Sequence, residues 1–390
     1  MFPKEEYMKA FRVFSMPSCR GAGRIGAVWL RRAALCVLLA CAGLPSSAQV
    51  PAGYPGKYTE TISAARKEGR LVIYSTTDLA AANPLLKDFR SLYPGIEIEY
   101  NDMNSTEVYH RFLGENTTGE KTADIVWSSA MDMQMKLVND GFALAYKSPE
   151  VSKLPEWAVW RNEAFGTTFE PIVIVYNKRL LSPEEVPQTH ANFAKLLREN
   201  PKRFKGKVTT YDIEKSGVGF LLATQDSKTS PAFWELARAM LDAGAHLQTA
   251  TAAMMEGIAS GENLIGYNLV GSYAIVRAGI DPSIGYVLPR DYTLVMSRII
   301  FIAKRAKHAH AARLWVDYLL SKRGQQIVAS QSQLFSIRAD VEGDATAAGL
   351  VKTLGSSVKP IVVNQGLLTY LDQAKRQEFL KKWQSTGARK

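Results

Sequence analysis

The chain has 390 residues, which is long for a single hydrophobic core and suits a protein of two lobes. Hydrophobic residues make up 46% of it and charged residues 22%, as in ordinary folded soluble proteins. The formal net charge is +11, but residues 1–48 carry +5 of this charge and leave +6 for the remainder. No dense block of Lys and Arg interleaved with aromatic residues occurs in that remainder, which argues against nucleic-acid binding.

The first 48 residues have the pattern of a secretory signal peptide. Basic residues precede the apolar run 33–44, and small residues follow at cleavage positions. The apolar run is too short for a comfortable membrane span. We therefore predict a signal peptide over residues 1–48, export to the periplasm and a mature chain that begins near Gln49. A lipoprotein anchored through Cys41 is the less favoured alternative.

All three cysteines, Cys19, Cys36 and Cys41, lie within this leader. Cleavage after Ala48 would leave a mature chain without a disulfide, a thiolate metal site or a cysteine nucleophile. No nucleophile elbow, HExxH motif or paired-carboxylate spacing stands out in the remaining sequence. We therefore do not expect an enzyme, and we expect no cofactor.

From residue 58 onward the predicted elements alternate between helix and strand. The amphipathic helix YTETISAARKEGR is followed by the apolar strand LVIYS. Asn83-Pro84 is typical of a helix start, with Pro at the first helical position. After the strand IEIEY, Asn104 and Glu107 have the spacing of a capping box. The strand ADIVW and the helix MDMQMKLVNDG follow, and this alternation indicates a mostly parallel sheet covered on both faces.

A second series of elements includes the strands KVTTYD and NLIGYN and several helices. The apolar runs 171–177 and 285–304 flank this series like crossings between two lobes. We therefore predict an α/β fold with two lobes, two crossover strands and a cleft between the lobes. Lobe one is expected to comprise residues 49–170 and 300–390, and lobe two residues 171–299.

The order and spacing of several segments resemble a known family. These segments are LVIYSTTD, NPLLKDFRSLYPGIEIEY, ADIVWSS, PIVIVYNK, SGVGF, the stretch from SGEN to GSYA, and HAARLWVDYLLSKRGQQ. Over residues 57–340 they resemble the extracellular solute-binding proteins of ABC importers, in the branch of ferric-iron, phosphonate and sugar-phosphate binding proteins. The resemblance implies a type 2 periplasmic-binding-protein-like fold whose two lobes close on a ligand by a hinge. It also implies a monomer with an inner-membrane ABC permease as its partner.

The resemblance also allows a prediction about whether the protein binds ferric iron. Iron-binding members of the family use adjacent tyrosines near the position of Tyr267, commonly with a histidine in the loop after the first strand. Here that loop reads STTD, and Tyr267 is separated from Tyr273 by five residues. A hard ferric ion needs several convergent oxygen or imidazole ligands. We therefore predict no metal site, and ferric iron or a ferric chelate remains the second choice of ligand.

Small hydroxyl and glycine residues lie at four strand-to-helix junctions, where ligands bind in open parallel sheets. These hydroxyls and the free N–H groups of helix N-termini would together form a cradle for an oxyanion. Helix capping is the alternative, because Ser and Thr are common N-caps. The candidate residues are Ser75, Thr76, Thr77, Ser128, Ser129, Ser216, Gly217 and Ser272.

Aromatic and amide side chains near these junctions are further candidates to border the ligand. They are Trp127, Tyr211, Tyr267, Asn268 and Tyr273. Core packing is the alternative for Trp127 and Tyr211. On the second crossing, Arg298 either pairs with Asp291 or meets an anionic ligand with its planar guanidinium. Pairing with Asp291 is the preferred interpretation.

These observations lead to one functional prediction. The protein is expected to be the periplasmic substrate-binding component of an ABC transporter. Its ligand is expected to be a small anionic solute, with a phosphorylated or phosphonate compound favoured. A sensor partner that presents its ligand to a membrane receptor is an alternative that the sequence does not separate from transport.

Overall fold

The computed structural model describes residues 50–387 apart from residues 52, 120 and 121, and the predicted signal peptide lies outside the described residues. Its strands form two sheets. The strands are β1 (Arg70–Ser75), β2 (Glu97–Asp102), β3 (Ile125–Ser128), β4 (Val159–Trp160), β5 (Ala164–Gly166), β6 (Glu170–Asn177), β7 (Val208–Tyr211), β8 (His246–Gln248), β9 (Ile265–Val270), β10 (Ile284–Val287), β11 (Thr293–Met296), β12 (Ile299–Ile302) and β13 (Val358–Pro360).

Helices connect the strands. The α-helices are α1 (Tyr58–Glu68), α2 (Leu79–Leu92), α3 (Ser105–Thr118), α4 (Met131–Asn139), α5 (His190–Glu199), α6 (Pro201–Phe204), α7 (Gly217–Thr229), α8 (Phe233–Asp242), α9 (Thr251–Ala259), α10 (Gly271–Ile280), α11 (Ala309–Leu320), α12 (Lys322–Ser330), α13 (Ala347–Leu354) and α14 (Gln373–Thr386). Short 3-10 helices lie at Val151–Lys153, Glu156–Ala158, Pro183–Glu185, Gly355–Ser357 and Gln365–Tyr370. Within the described residues, none of the helices has both the length and the apolar character needed to cross a membrane.

The first sheet, with its helices, is called lobe one and has the strand order β2-β1-β3-β12-β5-β4. β1 lies between β2 and β3 and is parallel to both, so these three strands place their carboxyl ends at one edge. β12 pairs antiparallel with β3, although it comes from a late part of the chain. All four residues of β3 are buried, as expected of a strand covered on both faces.

The second sheet, with its helices, is called lobe two and has the strand order β13-β11-β6-β9-β7-β8, with β10 also paired to β6. β9 is parallel to β7 and antiparallel to β6. All six residues of β9 are buried, again as expected of a strand covered on both faces. The two mixed sheets confirm the predicted α/β class with two lobes.

The chain passes from lobe one to lobe two between β5 and β6, and back to lobe one between β11 and β12 through residues 297–298. The run 171–177, expected to be a crossing, lies within β6 of lobe two. The chain later returns to lobe two, because β13 pairs with β11. Helix α14 follows it there and buries Phe379 and Trp383 in an apolar cluster with Phe233. This packing differs from the expectation that all of residues 300–390 belong to lobe one. The amphipathic pattern of α14 predicts a buried face, but it does not predict which lobe covers that face.

The start of α3 follows its local sequence. The Asn104 side chain accepts hydrogen bonds from the amides of Thr106 and Glu107, each at 3.0 Å. The Glu107 carboxylate in turn accepts from the Asn104 amide at 3.0 Å. The predicted capping box is therefore confirmed.

The start of α2 does not follow its local sequence. The helix begins at Leu79, so Pro84 lies inside it rather than at its first position. The Asp102 carboxylate, at the end of β2, accepts a hydrogen bond from the Leu79 amide at 2.9 Å. This contact from another element stabilises the earlier start, and the sequence around Pro84 contains no sign of it.

Asp132 is a buried carboxyl on α4, 3% exposed, and it forms no ion pair among the described residues. It accepts a hydrogen bond from the Met133 amide at 2.9 Å. Burial raises the pKa of the Asp132 carboxyl to about 7, because the charged form loses its hydration. The folded protein therefore keeps this proton to a higher pH than the unfolded chain does.

We predict that Asp132 makes the protein less stable as the pH rises from about 4 to about 7, and that Asp132→Asn removes this loss. The change in the free energy of unfolding between pH 5 and pH 8 should shrink by on the order of 2–4 kcal/mol. Urea denaturation followed by circular dichroism at several pH values measures it. Asp140→Asn, at the exposed end of the same helix, is the matched control and should keep the wild-type slope. The same slope in Asp132→Asn would contradict the prediction.

Candidate functional site

A cleft of about 280 Å³ lies between the lobes, beside the carboxyl ends of strands from both sheets. This is the position at which open α/β sheets bind ligands. Lobe one lines it mainly with Thr76, Asp78, Asp102, Asn104, Glu107 and Ser129. Lobe two lines it mainly with Tyr211, Thr249, Ala250, Thr251, Val270 and Tyr273. Arg298 adds to the lining from the crossing between β11 and β12.

Arg298 is 1% exposed, and its guanidinium is saturated with hydrogen bonds. Its Nε and Nη2 atoms donate to the two carboxylate oxygens of Glu170 at 2.7 and 3.0 Å. Nη1 donates to the Thr76 carbonyl and the Thr77 hydroxyl, both at 3.1 Å. Nη2 also donates to the Tyr273 hydroxyl at 3.1 Å. All five N–H groups of the guanidinium therefore have acceptors.

The preferred interpretation of Arg298 as the partner of Asp291 is wrong. Asp291 instead bonds His190, with 2.9 Å between Oδ1 and Nδ1. Arg298 pairs with Glu170, which lies 128 positions earlier in the chain. The alternative, in which Arg298 meets an anionic ligand, has little support because none of its donors is left over.

We predict that Arg298→Met leaves the buried Glu170 carboxylate without its countercharge. The free energy of unfolding should fall by about 3–5 kcal/mol in urea denaturation. Arg298→Lys should lose part of that amount, because an ammonium group cannot form the same set of hydrogen bonds. The double variant Arg298→Met/Glu170→Gln removes both charges and should recover some stability. If it recovers none, the ion pair is not the source of the loss.

Four predicted site residues, Thr76, Ser129, Tyr211 and Tyr273, line the cleft. The hydroxyls of Thr76 and Ser129 lie 3.1 Å apart, and Thr76 Oγ1 also accepts from the Ser129 amide at 2.9 Å. The Tyr273 hydroxyl accepts from Arg298 and from the amide of Asp78, at 3.1 and 3.3 Å. Since both contacts use its oxygen, its own proton remains available for a ligand. The cleft thus brings together hydroxyl groups from both lobes.

Most of the other predicted hydroxyls bond the protein itself. Ser75, Ser128 and Ser216 each accept a hydrogen bond from a backbone amide two or three residues further along the chain. Ser272 donates its hydroxyl hydrogen to Glu170. None of these four serines is part of the cleft lining described above. Helix capping accounts for Ser216, which is the N-cap of α7, whereas Ser75 and Ser128 bond amides in the short segments before α2 and α4.

Trp127 and Thr77 are also interior residues. Trp127 is fully buried and donates from Nε1 to the Thr167 hydroxyl at 2.9 Å, which is core packing. Thr77 is buried as well and accepts from Arg298. Both therefore support the cleft from behind its lining rather than facing into it.

Gly217 lies where the two lobes touch, at the N-terminus of α7. Beside it, the Val218 amide donates to Ser105 Oγ at 3.3 Å, and the Thr106 hydroxyl donates to the Lys215 carbonyl at 2.9 Å. A Cβ atom at Gly217 would lie 2.7 Å from Met133 Sδ and 3.0 Å from Ser105 Oγ, both on helices of lobe one. The absence of a side chain thus permits this contact between α3 of lobe one and α7 of lobe two.

Tyr267 and Asn268 belong to a buried hydrogen-bond network around Asp226. The Tyr267 hydroxyl and the Asn268 amide donate to Asp226 Oδ2 at 3.0 and 2.7 Å. The Tyr292 hydroxyl donates to Oδ1 at 3.0 Å, and the His190 ring stacks on Tyr292. Burial raises the pKa of the Asp226 carboxyl. Tyr267 is 2% exposed. It and Asn268 therefore belong to the interior of lobe two and do not line the cleft.

We predict that two conservative variants in the same segment change different properties, one the stability of the fold and the other the affinity for the solute. Tyr267→Phe removes a buried donor to Asp226 and should lower the free energy of unfolding by about 1–3 kcal/mol without changing solute affinity. Tyr273→Phe removes a hydroxyl that faces the cleft and should weaken solute binding several-fold or more. Isothermal calorimetry measures affinity, and urea denaturation measures stability. A folded Tyr267→Phe protein that has lost affinity would place Tyr267 at the ligand.

Acidic residues are the main part of the cleft that the sequence analysis missed. Asp78, Asp102 and Glu107 all line it. Asp78 directly follows the predicted hydroxyl residues after β1, and Glu107 was interpreted only as a capping residue. The threonines of segment 249–252 were missed because β8, the strand before them, has only three residues.

Three histidines bond carboxylate groups of the protein through their Nδ1 atoms. The Nδ1 atoms of His190, His308 and His310 lie 2.8–2.9 Å from carboxylate oxygens. Across the part of the chain that the structure describes, no group of three or more His, Cys, Asp and Glu residues is placed to hold a metal ion.

Comparison with known proteins decides the family. The family model for bacterial extracellular solute-binding proteins matches residues 84–353. The chain belongs to this family. It is 39% identical to a solved substrate-binding protein of an ABC transporter from Agrobacterium tumefaciens, with a TM-score of 0.78 over 81% of this chain and 94% of that one. The resemblance stated from the sequence is confirmed.

Other solved structures share the fold of this solute-binding protein at lower identity. AfuA from Actinobacillus pleuropneumoniae, solved with fructose-6-phosphate, is 19% identical, with a TM-score of 0.67 over 82% of this chain and 98% of that one. Iron-bound HitA from Pseudomonas aeruginosa is 16% identical, with a TM-score of 0.63 over 82% of this chain and 99% of that one. No curated protein sequence matches the chain. These similarities confirm the predicted periplasmic-binding-protein-like fold.

Proposed function

We propose that this solute-binding protein captures a small solute that carries an oxyanion and delivers it to the permease of an ABC importer. A phosphorylated or phosphonate compound is the preferred ligand. The observation that carries the proposal is the cleft of about 280 Å³, which is lined by residues of both lobes. Two lobes joined by crossings can enclose a solute by hinge closure. The protein would act in the periplasm as a monomer, exported by the signal peptide predicted over residues 1–48.

Helix N-termini support the choice of an oxyanion. α9 begins without a side-chain cap, and residues 249–252 at its start line the cleft. α10 also begins without a side-chain cap, and Val270 and Tyr273 at its start line the cleft. Unpaired N–H groups and the partial positive charge of a helix N-terminus favour an anion. The hydroxyls of Thr76 and Ser129 add hydrogen-bonding groups from lobe one.

Ferric iron receives less support as the ligand. Tyr211 and Tyr273 are the tyrosines of the described lining. Burial raises the pKa of Tyr273 to about 12 and also raises that of Tyr211. Both shifts oppose the loss of the phenol proton that coordination by tyrosinate requires. The Tyr211 hydroxyl is also hydrogen-bonded to Thr251.

A thermal-shift panel on the exported protein tests the proposed function. It contains sugar phosphates, phosphonates, inorganic anions and ferric citrate. A ligand at about 100 times its dissociation constant adds roughly 2.7 kcal/mol to the free energy of unfolding, which shifts the melting temperature visibly. We expect a phosphorylated or phosphonate compound to give this shift. A panel without any shift would contradict the proposal.

Two neighbouring serines provide a matched pair of variants for the same test. Ser129→Ala removes a hydroxyl from the cleft lining and should weaken binding about tenfold or more if the solute is an oxyanion. Ser128→Ala removes a buried hydroxyl that bonds the Ala130 amide, so it should affect stability and leave affinity unchanged. Calorimetry with the best ligand of the panel separates them. Equal affinity in both variants would mean that Ser129 does not contact the solute.

A further inference from the structure

Strand β9 contains a β-bulge shortly before it leads into α10. On β6, one residue separates Val173 from Val175. Their partners on β9, Leu269 and Gly266, are separated by two residues. One extra residue of β9 is therefore accommodated at positions 267–268, which is a β-bulge. Bulges bend a strand and re-aim the side chains that follow them, and they are frequent next to functional sites.

The bulge inverts the alternation of side chains along β9. Tyr267 and Leu269 lie two positions apart and would point to the same face of a regular strand. Tyr267 instead packs in an apolar cluster with Phe193, whereas Leu269 packs in a different cluster with Met254. The end of β9 that leads to the cleft thus has a different orientation from the part that builds the interior of lobe two.

Asn268 is the residue at which the backbone turns. Its φ of 63° lies in the left-handed region, which L-residues other than Gly rarely adopt and which Asn tolerates better than most. The side chain is 6% exposed, and its Nδ2 atom donates to Asp226 Oδ2 on α7 at 2.7 Å. A conformation of this kind persists where the surrounding structure fixes it. The bond to the buried Asp226 carboxylate supplies that constraint.

The chain is fixed at each step from the bulge to the cleft. Val270 pairs with β6, and a Cβ atom at Gly271 would lie 2.6 Å from the carbonyl oxygen of Pro171. Ser272 donates its hydroxyl hydrogen to the carboxylate at the start of β6. Tyr273 follows directly, with its hydroxyl at the cleft. A change in the geometry of the bulge would therefore displace the Tyr273 hydroxyl.

We propose that Asn268 and Asp226 are positioning residues of the binding cleft. They stabilise the β-bulge that directs Tyr273 of lobe two towards the solute and towards the Asp78 amide of lobe one. Neither Asn268 nor Asp226 belongs to the cleft lining, so both act through Tyr273. The role in binding rests on the proposed function, whereas the placement of Tyr273 is tested without any solute.

Two substitutions of Asn268 separate the backbone conformation from the loss of the side chain. Asn268→Gly and Asn268→Ala both lose the bond to Asp226, but only glycine adopts a left-handed conformation without strain. Fluorine NMR of the exported protein labelled with 3-fluorotyrosine reports the surroundings of each phenol, and Tyr273→Phe assigns the resonance of Tyr273. We expect Asn268→Ala to displace this resonance and Asn268→Gly to keep it closer to its wild-type position. Equal displacement in both variants would overturn the role of the left-handed conformation.

Asn177→Ala is the matched control. Asn177 is fully buried in lobe two, and its Nδ2 atom donates to the Ile258 carbonyl at 2.7 Å, the same length as the bond of Asn268. Asn177→Ala should therefore lower the melting temperature and leave the Tyr273 resonance in place. A displaced resonance in this control would mean that any loss of stability in lobe two moves Tyr273, which would overturn the assignment.

Asp226→Asn tests the other positioning residue and keeps the inference testable if Asn268→Ala does not fold. The amide offers one oxygen in place of the carboxylate, so three donors compete for it: Tyr267, Asn268 and Tyr292. We expect the Tyr273 resonance to shift or broaden in this variant. An unchanged resonance would remove Asp226 from the assignment. Circular dichroism and melting temperatures confirm that each variant is folded.

Binding is then measured on the same variants with the panel of sugar phosphates, phosphonates, inorganic anions and ferric citrate. A compound that binds the wild-type protein should bind Asn268→Ala roughly two- to tenfold more weakly, as the loss of one hydrogen bond predicts, and Asn177→Ala equally well. A displaced Tyr273 resonance with unchanged affinity would overturn the role in binding. An undisplaced resonance in Asn268→Ala would overturn the positioning itself. A panel in which nothing binds would contradict the proposed function and the role in binding, and the NMR comparison would still decide the placement of Tyr273.

Discussion

A buried ion pair between Arg298 and Glu170 stabilises the region in which the chain passes between its two lobes. Taking two charges out of water costs free energy, which is offset only by good geometry and further hydrogen bonds. Here every N–H group of the guanidinium has an acceptor, and the acceptors come from both lobes. Thr76 and Thr77 follow β1, whereas Tyr273 lies in the first turn of α10. The pair thus positions the segments that line the cleft relative to one another.

The same pair determines the electrostatics of the cleft. Because Glu170 neutralises Arg298, the positive character of the cleft comes from backbone amides at helix N-termini. The negative character comes from carboxylates of lobe one, such as Asp78. Recognition of a solute would therefore depend on how closely the two lobes approach. The contact at Gly217 places them in direct hydrogen-bonding distance beside the cleft.

Tyr267 and Tyr273 show how one short segment supplies two different environments. Tyr267 lies on β9, and its hydroxyl points to Asp226 in the interior of lobe two. Tyr273 lies on α10, and its hydroxyl meets Arg298 and the Asp78 amide at the cleft. The change from strand to helix between them changes the direction of successive side chains. Their spacing of six residues therefore does not place the two phenols at one site.

The sequence by itself determined the features that depend on neighbouring residues. The alternation of strands and helices, the capping box of α3 and the family resemblance follow from local patterns of apolar, polar and small residues. The tertiary structure alone decided which serines reach the cleft, which lobe covers α14, and that Glu170 rather than Asp291 pairs with Arg298. Local periodicity reports the type of an element and its buried face. It does not report partners, because a hydrogen bond or an ion pair depends on where distant segments meet, and Glu170 and Arg298 lie 128 positions apart.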